Sequence, residues 1–241
     1  MAVFDQPRPV SAGLKTAENG ATVQAGTRLA NMHRLQGCGL ISPASDWGGA
    51  RNRRDRVSEH LTVRQCEALI AAADRAEQMG LAFNRHWTVH YERAGIAEPD
   101  GARFVGRLLK LTGDYARRHN SKVTAIWVRE NGDGKGGHVH ILMHLSLGLS
   151  LRGRTPKWIR LAGGQSREGV SFIRAIGGRL LSAETGGAHY RVNADRVRGY
   201  LLKGASLDAG EALGLAYAGE GGFVIGKRCG RTQNIGEAAR R

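Results

Sequence analysis

The segment from Val123 to Leu145 constrains the fold more than any other part of the chain. Val123-Thr124-Ala125-Ile126-Trp127-Val128-Arg129-Glu130 is rich in β-branched and aromatic residues and reads as a strand. Asn131 to Gly136 supplies turn chemistry, and Gly137 to Leu145 returns as a second strand, so the segment is an antiparallel hairpin. On the returning strand Val139, Ile141, Met143 and Leu145 share one parity and are wholly apolar, while His138, His140 and His144 share the other. An upstream run, His86-Trp87-Thr88-Val89-His90-Tyr91-Glu92, alternates in the same way. Trp87, Val89 and Tyr91 are expected in the core, and His86, Thr88, His90 and Glu92 on a polar face like that of the His strand.

Helices are expected between and before these strands. Thr62 can cap a helix that carries Cys66, Leu69, Ile70 and Ala73 on its apolar side and stops at Gly80. Asp100 can cap a second, whose Phe104, Leu108, Leu111 and Tyr115 recur at helical spacing. Between Leu147 and Gly187 the pattern weakens, with Lys157 to Leu161 and Gly169 to Ile176 as short strand or loop candidates. His189-Tyr190-Arg191-Val192 reads as a short last strand, and Asn193 as the cap of a helix from Ala194 to Lys203, ended by Gly204.

The domain expected from these elements covers residues 57–210. Residues 1–56 lack periodicity and close on Arg51, Arg53, Arg54 and Arg56, which suggests a flexible basic arm. Residues 211–241 read as a Gly-rich basic extension with Lys227, Arg228 and Arg231. With 36 Lys and Arg against 21 Asp and Glu, the net charge of +15 favours polyanionic partners. No apolar run reaches the roughly 18 residues of a membrane span, and the start of the chain, with Asp5, Pro7 and Pro9, holds no apolar signal core. Cys38, Cys66 and Cys229 lie far apart and form no zinc or disulfide pattern, as expected of a reducing cytoplasm. Gly221 to Lys227 matches a Gly-x-x-x-x-Gly-Lys phosphate loop, but Arg228 stands where a Ser or Thr would bind Mg²⁺ and few residues remain, so no P-loop is read there.

Two short constellations carry chemistry. His138 and His140 lie two residues apart on one strand, about 6.8 Å along it, so their imidazoles can converge on one ion. Arg196, Tyr200 and Lys203 fall within a narrow arc of the last helix, placing a phenol between two cations. A tyrosine oxygen attacks phosphorus once its proton is lost and the phosphate charge is neutralised, which a metal and a lysine can achieve together.

In order along the chain these are a polar-faced strand, a helix, a hairpin with His-hydrophobe-His and a helix with Tyr-x-x-Lys. The combination resembles the HUH endonuclease superfamily, in particular the single-tyrosine initiators of rolling-circle replication. The likeness covers residues of about 80 to 205. His86 to Glu92 stands in for the first family motif, although His86 and Trp87 are bulkier than the mainly apolar residues of relatives. Gly137-His138-Val139-His140-Ile141 matches the metal motif, and Gly199-Tyr200-Leu201-Leu202-Lys203-Gly204 the nucleophile motif.

The resemblance implies an α+β fold with a central antiparallel sheet and helices packed on it, and a site for Mg²⁺ or Mn²⁺. It implies nicking and rejoining of single-stranded DNA at an origin-like site through a 5′-phosphotyrosine. Tyr200 and Lys203 are then catalytic, and His138 and His140 are ligands. Glu130 matches the family's third ligand, with His90 and Glu92 competing by parity. His90, Arg196, Lys227 and Arg228 are candidate nucleic-acid contacts. Unwinding is left to a separate helicase, and the expected setting is the cytoplasm of a bacterial host. A transposase or mobilisation relaxase would share the chemistry, and a basic binding module without catalysis would share the charge.

Overall fold

A computed structural model describes residues 55–132, 134, 136–219 and 221–236, all within a compact unit that spans Asp46–Arg241. The expected basic arm, apart from Asp55 and Arg56, lies outside the described residues. In chain order the elements are β1 (Val57–Ser58), α1 (Val63–Gln78), β2 (Arg85–His90), α2 (Tyr91–Ala94), α3 (Gly101–Arg117), β3 (Thr124–Gly132) and β4 (Gly136–His144). They continue as α4 (Thr155–Ala162), β5 (Ser171–Ala175), α5 (Ser182–Thr185), α6 (Ala188–Leu201), α7 (Leu207–Leu213), β6 (Val224–Ile225) and β7 (Cys229–Arg231).

The hairpin forms the middle of a five-stranded antiparallel sheet ordered β5-β2-β4-β3-β7. Its register pairs Glu130 with His138 and Val128 with His140. β2 lies on the other side of β4, pairing Thr88 with His140 and His90 with His138. The α+β class and the antiparallel sheet are therefore present as expected. Among the described residues no helix is long and apolar enough to cross a membrane.

Both faces of the sheet are covered. α3 and α4 pack on the face formed by Trp87, Val89, Val139, Ile141 and Met143. The opposite face, expected to be polar, is covered by α1, α6 and α7 where Ile126, Val128 and Leu142 stand. Burial of that second face is what takes His138 and His140 out of solvent.

α1 begins as Thr62 suggested, with a reciprocal capping box: Thr62 Oγ1 accepts from the Gln65 amide at 3.3 Å and Gln65 Oε1 from the Thr62 amide at 2.9 Å. Gly80, at φ 69°, ends it. Asp100 does not cap α3 with its side chain; its carboxylate instead pairs with Arg103 at 2.9 Å.

Several local expectations are corrected. The strand at His86 stops at His90, because Tyr91 turns into α2 and buries its ring against Phe104, 6.0 Å between centroids. Lys157 to Leu161 lies in the helix α4, whose Trp158, Ile159 and Ala162 face the core. His189 to Val192 is helical as well: α6 starts at Ala188, and Asn193 sits inside it, donating to the His189 carbonyl at 2.7 Å. Tyr190, Ala194, Val197 and Leu201 form the stripe that meets α1 and the sheet, a helical period that outweighs four residues of alternation.

The expected C-terminal extension is built into the fold. β7 completes the sheet edge beside β3, β6 pairs with β1, and Ile235 enters the core. Two buried arginines hold this segment. Arg129 donates to the Ile225 and Lys227 carbonyls at 2.8 and 3.0 Å and pairs with Glu98 at 2.5 Å. Arg228 donates to Ser58 Oγ at 3.0 Å and the Gly221 carbonyl at 3.1 Å, and also to the Ser58 and Gly222 carbonyls.

Candidate metal centre

The β3–β4 register brings Glu130, His138 and His140 to one side of the sheet, where all three are buried. Their ligand atoms lie within 4.8 Å of one another, near enough for one ion to reach all three. Glu130 Oε2 stands 3.3 Å from His138 Nε2 and 3.7 Å from His140 Nε2.

The far side of each ring is held by hydrogen-bonding groups. His138 Nδ1 lies 2.9 Å from the Gly136 carbonyl, to which it donates, and this bond turns Nε2 towards Glu130. His140 Nδ1 lies 3.0 Å from Thr88 Oγ1 and 3.1 Å from His86 Nε2. Gly136 has φ 61°, and a Cβ there would run into the Glu92 carboxylate, so glycine is required at the start of the strand that aims His138.

The electrostatics suit a cation. Burial first, then the charges of His138, His86 and Lys203, pushes His140 well below the ordinary histidine range, so the ring stays neutral and able to ligate. His86 is pushed down to about 4, chiefly by burial and next by Arg174. Glu130 Oε1 and His140 Nε2 are buried without a hydrogen-bond partner. Two imidazole nitrogens and a carboxylate thus converge in a buried site, an arrangement that a divalent ion satisfies. Lys203 is the cation already there, its ammonium bonded to Glu130 Oε2.

The last turns of α6 bring the phenol to the same place. The Tyr200 ring lies 5.1 Å from that of His140 and 6.2 Å from that of His86, and is 39% exposed. Lys203, just past the end of α6, sits 5.2 Å from the Tyr200 ring while bonding Glu130. The helix is anchored by Tyr190, which donates to the Phe83 carbonyl at 2.8 Å, by the buried Leu201 and Leu202, and by Arg198, paired with Asp74 of α1 at 3.0 Å.

The sequence-derived residues therefore separate into two groups. Glu130, His138, His140, Tyr200 and Lys203 come together. His90 stands beside them, its ring 5.5 Å from that of His138, but outside the three-residue cluster. Glu92 leaves the sheet with α2 and packs on Gly136, so it is not a competing ligand. Arg196 is exposed, one turn before Tyr200.

Lys227 and Arg228, candidate nucleic-acid contacts, lie away from the cluster. The Lys227 ammonium lies 5.6 Å from the Trp127 ring, which belongs to the opposite face, and Arg228 is spent on backbone carbonyls inside the fold. His86 and Thr88, expected on this face by their shared parity with His90, also reach the His140 ring, a contact that strand parity alone does not reveal. No family model, curated protein or solved structure matches the chain.

Proposed function

We propose that the chain is a metal-dependent DNA strand transferase of the HUH endonuclease type, which nicks and rejoins single-stranded DNA through Tyr200 to initiate rolling-circle replication. The observation that carries this reading is the meeting of an exposed phenol with a buried Glu-His-His cluster and a bridging lysine. Glu130, His138 and His140 would hold Mg²⁺ or Mn²⁺, the carboxylate favouring hard, oxygen-preferring ions. Such an ion neutralises the scissile phosphate and makes its phosphorus more electrophilic.

The remaining steps belong to side chains of this protein. Tyr200, partly exposed beside His140, would supply the attacking oxygen. A bond forms from that oxygen to phosphorus as the bond from phosphorus to the 3′-oxygen breaks; the phenolic proton is released and the departing 3′-oxygen takes one up. Lys203, between Glu130 and the phenol, adds positive charge where the phosphate must sit. The phosphotyrosine keeps the energy of the broken bond, so a 3′-hydroxyl can attack it and restore the strand. Strand separation falls to a separate helicase.

A binding module without catalysis is the second reading, favoured by one observation: Lys203 already neutralises Glu130. Labelled single-stranded DNA with Mn²⁺ separates the two. The wild-type chain should form a covalent adduct that maps to Tyr200 and is absent from Tyr200→Phe. His138→Ala and His140→Ala should lose the adduct and keep salt-sensitive DNA binding. An adduct that persists on another tyrosine overturns Tyr200 as nucleophile, and no adduct with any divalent ion favours the binding module.

A further inference from the structure

The face that carries the metal ligands continues outward across β2 to β5, the outermost strand on that side. The register pairs Phe172 with Thr88 and Arg174 with His86, so both side chains stand on the ligand-bearing face. Aromatic rings lead there step by step. Centroids are 4.8 Å apart from His140 to His138, 5.5 Å from His138 to His90 and 5.9 Å from His90 to Phe172, the last pair edge to face.

Phe172 ends this series 46% exposed. Arg174, two residues on, is also exposed, and among the described residues it has no hydrogen-bonded or ion-paired partner. An exposed ring beside an exposed guanidinium, both on the ligand-bearing face, meets the needs of an unstacked base and its phosphate. A base inside a duplex has both faces covered and cannot use such a ring.

We propose that Phe172 and Arg174 form a nucleotide-binding step beside the candidate metal centre, with an unpaired base stacked on Phe172 and the adjoining phosphate held by Arg174. This rests on the reading that the site acts on single-stranded DNA, and it adds the place where the strand next to the reacting phosphate is gripped. Because any base offers a π face, the step discriminates single strands from duplex and is tolerant of sequence.

Two labelled strands test it in EDTA, where neither cleavage nor metal is involved: an oligothymidylate of about 20 nucleotides and an abasic strand of the same length. The wild-type chain should bind the oligothymidylate more tightly. Phe172→Ala should lower that affinity about tenfold and leave the abasic strand unaffected, and Phe172→Trp should keep the preference. Arg174→Ala should weaken both strands alike and reduce the slope of log affinity against log salt by about 0.7. A wild-type chain with no preference for the oligothymidylate, or Phe172→Ala with unchanged affinity or equal loss on both strands, overturns the stacking. Unchanged salt dependence in Arg174→Ala overturns the phosphate contact. Adduct formation by the wild-type chain in Mn²⁺ judges the nuclease reading separately: an adduct with no Phe172 effect removes this step alone, and a Phe172 effect with no adduct removes the nuclease alone.

Discussion

Glu130 is 1% exposed and its Oε2 accepts from the Lys203 ammonium, so its charge is met there or by an ion in the lysine's place. Removing the lysine while keeping its volume, as in Lys203→Met, should therefore destabilise the metal-free chain by about 3 kcal/mol, the scale of a buried charge left unpaired. Denaturation with and without Mn²⁺ checks this: the loss should largely disappear with the ion, and Mn²⁺ should bind Lys203→Met more tightly than wild type. Equal destabilisation in both conditions would mean that Glu130 does not face the ion. A second expectation concerns His144, whose ring Nδ1 lies 2.9 Å from the Ala82 carbonyl and which burial holds below the ordinary histidine range, against the opposing effect of that bond. The unfolded ring takes up a proton near pH 6.5 and the folded ring only at lower pH, so more protons are bound in the unfolded state as pH falls through that window. Stability in EDTA should fall between pH 7.5 and 5, and His144→Asn, which keeps a donor to Ala82, should show a smaller fall.

β3 was legible from its run of β-branched and aromatic residues, and β4 from the alternation that placed His138 and His140 on one face. α6 was legible only in part. The arc of Tyr200 and Lys203 was visible from helical spacing, but the first turns of the helix were hidden by the brief alternation of His189 to Val192. That the histidine face is buried could not be read from the sequence, because it depends on α6 and α1 closing over the sheet, a long-range contact with no local signal. The C-terminal segment shows the same limit: a Gly-rich basic stretch has the composition of a tail, yet Cys229–Arg231 is a sheet strand and Arg228 is 1% exposed. Burial lowers the Arg228 guanidinium to about 10, because the charged form loses solvation by water. Arg228→Met should cost about 2 to 3 kcal/mol in urea denaturation, since the carbonyls of Ser58, Gly221 and Gly222 lose their donor. Lys227→Met, exposed on the far face, should change stability by less than about 0.5 kcal/mol and DNA affinity little.

Across the whole molecule the excess of cations divides between the fold and the surface, a division that the net charge of +15 conceals. Arg85, Arg129 and Arg228 are buried and donate to main-chain carbonyls, Arg85 to those of Leu145 and Leu149, so they are not available to phosphates. Arg174 and Arg196 are exposed on β5 and on the Tyr200 helix, at the two elements that flank the open part of the histidine face. Binding of a single strand should accordingly respond to salt through a handful of contacts: a slope of log affinity against log salt of about −2 to −4, where fifteen contacts would give roughly −10. Truncation before Asp55 removes Arg51, Arg53 and Arg54 and should shallow that slope and weaken binding without moving the cut site, because phosphate contacts position a strand and carry no sequence information. Titration of a labelled oligothymidylate at several salt concentrations gives the slope, and mapping of the adducted end gives the cut. A cut site that shifts on truncation would make the arm a reader of sequence, and an unchanged slope would leave every phosphate contact with the folded unit.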